Sequence, residues 1–177
     1  DFKQLSRKNA EALRVAHMGH WGFDVKTGLF TFNDQYYSLH GTTASQAGGY
    51  QMTAEEFARR YVHRDDAPLV GMAIRLAIEA TDPHFEHQIE ARILRGGGAV
   101  RWVTVWFRIE KDEQGRTVKM YGVNQDITER KQAEEALHER NRYIDTILEN
   151  SPIGFAVNTI HDGKGVFVSS KFEDIYG

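Results

Sequence analysis

The 177-residue chain contains no cysteine. That excludes disulfides, iron–sulfur clusters, thiolate zinc sites, c-type haem attachment and any covalent cysteinyl adduct with a chromophore. It also fits a reducing compartment, and a cytoplasmic location is expected. Proline occurs only 3 times, at positions 68, 83 and 152. Each is read as lying where a helix starts or stops, since proline is tolerated in a first turn and ends a helix elsewhere. No apolar run reaches the ~20 residues needed to cross a bilayer, and no signal-peptide pattern opens the chain. Neither sign of charge dominates: 22 Lys and Arg face 25 Asp and Glu, for a net charge of -3 and a pI near 6.3. Such a balance gives no general attraction to nucleic acid or anionic membrane. The basic residues are scattered rather than interleaved with aromatics, which argues against a nucleic-acid interface. Position 1 is Asp, and the chain stops at Glu-Asp-Ile-Tyr-Gly, so it reads as a piece of a longer protein.

What is present suffices for a core: 41% hydrophobic residues, 11% aromatic. Phe2, Leu5, Asn9, Ala12 and Ala16 follow a spacing of three and four, with Leu13 widening the stripe, predicting an amphipathic helix over residues 1–16. Trp21 to Asn33 reads as a hairpin around Lys26-Thr27-Gly28, followed by a short helix over Asn33–His40. Thr53 and Glu56 form a capping-box pattern opening a helix over Met52–Val62. A further helix starts at His63-Arg64-Asp65-Asp66, with Asp65 or Asp66 as its cap and Pro68 in its first turn. Leu69, Val70, Ala73, Ile74 and Ala77 share one of its faces, and it should end near Thr81. Three strands follow. In His84–Leu94, Phe85, His87, Ile89, Ala91 and Ile93 alternate with polar residues. Val100–Ile109 carries Val103, Val105, Phe107 and Ile109 on one face and Trp102, Thr104 and Trp106 on the other, so both faces should be covered. Thr117–Ile127 is the third. This pattern predicts an α+β domain with one antiparallel sheet.

From Thr128 the sequence turns charged and helical without an intervening Gly or Pro, and the helix should run to about Asn150. Ala133, Leu137, Arg140, Ile144 and Ile147 follow heptad spacing, a seam for a partner helix. An internal echo then sets the layout. "MGHWGFDV" (Met18–Val25) returns as "SPIGFAVN" (Ser151–Asn158), and "FNDQYYSLHG" (Phe32–Gly41) returns as "VSSKFEDIYG" (Val168–Gly177). The expected order is an N-terminal helix at 1–16, a domain at 17–128, a connecting helix at 129–150 and the start of a second domain of the same kind at 151–177.

"GHWGFDVKTGLFTFNDQYYSLHG", "YVHRDDAPLV", "GGGAVRWVTVWFRIEKDEQGR" and "YGVNQDITERKQAEEAL" occur in that order and resemble a PAS domain with its PAC motif. The likeness covers about residues 17–131, with a partial second copy from about 148. The first strand reads Trp-Gly-Phe-Asp where a Trp-x-Trp-Asp pattern is usual, and Arg64 stands where a Pro is common. The resemblance implies a five-stranded antiparallel sheet cradling short helices over a small cavity. Here that cavity would be lined by Phe23, Phe32, Tyr36, Phe57, Tyr61, Val70, Ile74, Ile89, Val105, Met120 and Asn124. Tyr36, Tyr61 and Asn124 are the polar groups able to orient a ligand. It also implies that Asp126, Ile127 and Thr128 join the last strand to an output helix. Asp126 can pair with Arg130 one turn on, and Thr128 can cap.

The function expected on this basis is a sensory module of a signal-transduction protein, such as a two-component sensor histidine kinase. It would bind a small molecule or relay a signal to a following PAS domain and an effector in cis, with a homodimer formed through the flanking helices. Two alternatives stay open. One is a ligand-free dimerisation or spacer module. The other is a haem or flavin sensor of a diguanylate cyclase or phosphodiesterase. A haem ligand would have to be His63 or His87, and a flavin would meet Asn124 where light-sensing members carry Gln. No permanent cofactor, metal site or membrane contact is expected. The Asp65-Asp66 pair beside His63 reads as a helix cap rather than an acid–base group, and with no nucleophile–base set or phosphate loop the chain is not expected to be an enzyme.

Overall fold

The computed structural model describes residues 18–150, 156–158, 161, 165–169, 171, 172 and 174; the helix expected over 1–16 lies outside them. The chain divides into two units, Asp1–Glu129 and Arg130–Gly177.

In the first unit, β1 (Met18–Asp24) and β2 (Leu29–Phe32) form the expected hairpin. Its turn is fixed by Asp24, whose carboxylate accepts from the Thr27 N–H at 2.8 Å and the Thr27 hydroxyl at 3.1 Å. Gly28 supplies the left-handed residue at φ 69° that a β-carbon disfavours. Asn33 caps α1 (Asp34–Leu39) by accepting from the Tyr36 N–H at 2.8 Å. Then come α2 (Ala44–Ala47), β3 (Gln51–Thr53), α3 (Ala54–Tyr61), a 3₁₀ turn at Arg64–Asp66, α4 (Ala67–Glu79), β4 (Glu86–Leu94), β5 (Val100–Lys111) and β6 (Thr117–Asp126).

The sheet is antiparallel in the order β3-β2-β1-β6-β5-β4, six strands rather than five. The extra strand, β3, pairs Met52 with Phe30. Three residues are too few to show alternation, so its residues read as helix, and α3 begins at Ala54 instead of Met52. Thr53 does cap α3, accepting from the Glu56 N–H at 3.2 Å. The Glu56 carboxylate turns to Arg60 at 2.7 Å rather than back to the cap. A reciprocal capping box forms instead at Thr43 and Gln46 of α2.

The inner face of the sheet is built by the expected alternation: Ala91, Ile93, Val103, Phe107, Ile109 and Met120 are all buried. Against them pack the aromatics of the first hairpin and α1, with Phe32 stacked on Tyr36 at 4.2 Å between ring centroids. On the outer face Thr104 is buried and Trp102 and Trp106 are half-buried. Helix α4 turns Ala73 and Ala77 to the core, while Leu69, placed by its spacing on the same face, is 43% exposed. The two alanines allow the closest approach to the sheet, which leaves Leu69 at the rim. The helix ends at Glu79, two residues before the expected Thr81.

Helix α5 runs from Thr128 to Asn150. Leu137, Ile144 and Ile147 on it are exposed, and Arg130 pairs with Glu134 one turn along at 2.7 Å. In the second unit β7 (Ala156–Asn158) pairs with β8 (Gly165–Val168), placing Val157 opposite Phe167. Ser169 Oγ then accepts from the Phe172 N–H at 3.3 Å. This is the same order as β1, β2 and the Asn33 cap. Among the described residues no helix is long and apolar enough to cross a membrane.

Candidate functional site

Between the inner face of the sheet and helices α1, α3 and α4 lies a cavity of about 60 Å³, room for about two water molecules at water's ~30 Å³ share of the liquid. Nine of the eleven residues expected to line it do so. Phe32, Tyr36, Phe57, Val70 and Ile74 come from the hairpin and helices, and Ile89, Val105, Met120 and Asn124 from the sheet. Phe23 and Tyr61 do not. Phe23 sits one pleat repeat further along β1, against Phe30 at 4.6 Å, and Tyr61 stacks on His40 at 4.2 Å. Trp21, Phe30, Val103 and Phe107 line it in addition. Each lies two positions from an expected residue on the same strand face, so the alternation pointed at them.

Polar groups in this lining are few. Trp21 Nε1 donates to Asn124 Oδ1 at 2.9 Å. Tyr36 is 1% exposed, and burial raises its phenol well above the usual tyrosine range, keeping it protonated. Close packing fixes the indole. A β-carbon on Gly122 would stand 2.8 Å from Trp21 Cζ2 and 2.3 Å from the Trp106 carbonyl, so only glycine at this point of β6 lets the ring lie flat.

The chemistry at the start of α4 was not legible from local spacing. Asp66 makes no side-chain bond to its own helix. Its carboxylate accepts from the Arg92 backbone N–H at 2.6 Å, from Arg92 Nε at 3.0 Å and from Nη2 at 2.6 Å. The Arg92 hydrogen bonds hold its pKa below the usual carboxylate value. The helix-cap reading of Asp65 and Asp66 is therefore corrected: the cap of the 3₁₀ turn is His63, whose Nδ1 accepts from the Asp65 N–H at 3.3 Å. The His63 N–H donates to the Arg92 carbonyl at 3.0 Å. Together His63 and Asp66 close the outer edge of strand β4, which would otherwise offer bare backbone groups.

Arg92 faces Trp102 across β4 and β5, its guanidinium carbon 5.5 Å from the indole centroid, a cation–π distance. Trp102 lies one residue past the end of the β5–β6 ladder, which closes at Val103 and Asp126. Its backbone is completed by the start of α5. The Ile127 N–H donates to the Trp102 carbonyl at 2.9 Å, and Thr128 Oγ1 accepts from the Trp102 N–H at 3.0 Å. Thr128 thus serves the neighbouring strand. Asp126 caps instead, accepting from the Thr128 N–H at 2.9 Å, with Arg101 3.5 Å from its other carboxylate oxygen. Ile127 and Thr128 are both buried.

Neither histidine considered for haem lines the cavity. His63 caps the 3₁₀ turn, and His87 packs edge-on against Phe107 at 5.6 Å between centroids. A space for about two waters with no ligating histidine does not fit a porphyrin or a flavin ring system. His84 precedes β4, and its N–H bonds to Asp82. Among the described residues no group of three His, Cys, Asp or Glu could hold a metal. The fully buried histidine is His40, which the sequence did not single out. Its Nδ1 meets the Leu94 carbonyl at 2.9 Å, its Nε2 has no partner, and burial lowers its pKa to about 4.

The chain is 27% identical over 162 residues to the sensor protein FixL of Bradyrhizobium diazoefficiens, covering 90% of this chain and 30% of that protein. It is 30% identical over 92 residues to the methyl sulfide methyltransferase-associated sensor of Methanosarcina acetivorans, covering 52% of this chain and 9% of the relative. The chain therefore spans less than a third of the length of these curated relatives. Among solved structures, a sensory box histidine kinase/response regulator from Burkholderia thailandensis superposes with a TM-score of 0.65 at 22% identity, covering 78% of this chain and 98% of that one. Residues 30–124 match the family model described as the PAS fold. With the cupped sheet, the short helices over it and the strand-to-helix junction at Asp126–Thr128, that match establishes that the chain belongs to the PAS fold family.

Proposed function

We propose that this chain is the sensory module of a longer signalling protein, taking a small molecule into the cavity and passing its presence to α5. One observation carries the reading: the Arg92–Trp102 pair joins both helix starts to the sheet. On one side Arg92 is bound by Asp66 at the head of α4, whose Val70, Ala73 and Ile74 line the cavity. On the other, Trp102 is bound by Ile127 and Thr128 at the head of α5. A ligand that displaces α4 acts on the pair that seats the output helix. The likeness to a sensor protein supports an effector elsewhere in the protein, which we take to be a histidine kinase as in the sensory box histidine kinase/response regulator that superposes on this chain, and residues 151–177 read as the start of a second PAS copy.

Replacing Asp126 with Ala in the intact protein tests this. The sheet should stay folded by circular dichroism while the effector ceases to respond to its stimulus. A full response in that variant removes the reading.

The exposed Leu137, Ile144 and Ile147 favour an additional role, pairing with α5 of a second copy through heptad positions. Sedimentation of the wild type and of a Leu137→Glu, Ile144→Glu double variant checks it: the wild type should be dimeric and the variant monomeric.

A further inference from the structure

The cavity's polar groups define what it accepts. An indole N–H can only donate, so the 2.9 Å contact from Trp21 Nε1 fixes the orientation of the Asn124 amide. The oxygen faces Trp21, and the NH₂ is left with no hydrogen bond among the described residues. The Tyr36 hydroxyl likewise makes none, although the residue is 1% exposed. Both residues line the cavity. The side-chain atom sealed away without a partner is His40 Nε2; the Asn124 and Tyr36 donors instead keep accessible surface, and an acceptor entering the cavity would meet them. Arg92 is the one charged residue of the lining, and its guanidinium is held by Asp66 at 2.6 and 3.0 Å. No carboxylate lines the space. The rest of the wall is aromatic and aliphatic.

We propose that the cavity takes a small neutral molecule, well below the size of the benzene that fills a cavity of ~150 Å³, bearing a single accepting oxygen such as a small ketone or ether. The Asn124 NH₂ and the Tyr36 hydroxyl receive that oxygen, and its hydrocarbon part lies against Ile74, Ile89 and Val105. A carboxylate is rejected because no free cation awaits it, and a pure hydrocarbon leaves both donors unmet. This deepens the reading of the cavity as the ligand site and rests on it.

Three probes separate the two ideas in amide chemical-shift titrations of the chain. Xenon tests the cavity alone, acetone tests the cavity and its donors, and acetate tests neutrality. The expected result is that xenon and acetone both shift resonances of Ile74, Ile89 and Val105 while acetate does not. In Tyr36→Phe, acetone should bind roughly three- to tenfold more weakly, as for one lost neutral hydrogen bond, with xenon unchanged. If xenon and acetone bind but Tyr36→Phe leaves acetone untouched, the donor assignment falls while the cavity reading stands. Binding of acetate as tight as acetone overturns neutrality. If neither xenon nor acetone perturbs these residues, the cavity is not a ligand site and both ideas fall.

Discussion

Helices α4 and α5 begin against the same cross-strand pair from opposite sides, yet different chemistry holds them. At the head of α4 a carboxylate grips a guanidinium and a backbone N–H. At the head of α5 a threonine hydroxyl and a backbone amide complete the hydrogen bonds of Trp102. The first attachment is ionic and responds to pH; the bonds that hold Trp102 are neutral and do not, the Asp126 carboxylate beside them serving the cap of α5 and Arg101 instead. On the proposed reading this asymmetry lets α4 shift Arg92 while α5 keeps its bonds to Trp102, so that the shift reaches the output helix instead of being lost there.

The largest effect to separate first belongs to neither helix. His40 has a pKa near 4 when folded and near 6.5 when unfolded. The unfolded chain binds the extra proton between those values, so stability falls as pH drops from about 6.5 to 4, by about 3 kcal/mol in all. Urea unfolding of His40→Gln should lose most of that slope and keep the part due to His20, whose pKa burial also lowers. Asp24, Asp66 and Asp112, whose folded pKa values are depressed, lose their contribution only at lower pH. In that background Asp66→Ala should cost about 2 kcal/mol at pH 7 through unpaired groups on the β4 edge, a loss that shrinks as pH falls through the carboxylate range and Asp66 protonates. Thr128→Val, of nearly the same shape, should cost about 1 kcal/mol at every pH from 4 to 8. If its cost varied with pH as that of Asp66→Ala does, the contrast between ionic and neutral attachment would be lost. Asp126→Ala should be mildest, about 0.5 kcal/mol for one cap bond on a partly exposed side chain, yet it should have the greatest effect on output.

How much of this the sequence carried depended on separation along the chain. The hairpin around Gly28, the short helix after Asn33 and the run of α5 from Thr128 to Asn150 all follow from neighbours within a few residues, and each is present as read. The cavity wall was largely legible because period-two alternation names a strand's inner face without naming its partners. It misplaced Phe23 and passed over Trp21 because alternation fixes the face of a strand but not where along it a void opens. The bonds that join the helices to the sheet were not legible. Asp66 to Arg92 and Thr128 to Trp102 each span 26 residues, and the two acceptors, Asp66 and Thr128, had plausible local roles as caps. The three-residue β3 was too short to carry a period, and its Thr53 resembled a complete capping box because Glu56 has the right spacing whichever way its side chain turns.

At 1.5 Å per residue, the 23 residues of α5 make a rod about 35 Å long. Pivoting by about 5° at Thr128, such a rod would carry Asn150 sideways by ~3 Å, more than the ~1–2 Å helix shifts that suffice to repack a subunit interface. Movement too small to disturb the sheet would therefore arrive at the far end already magnified, and an occupant of only a few atoms could command a much larger machine.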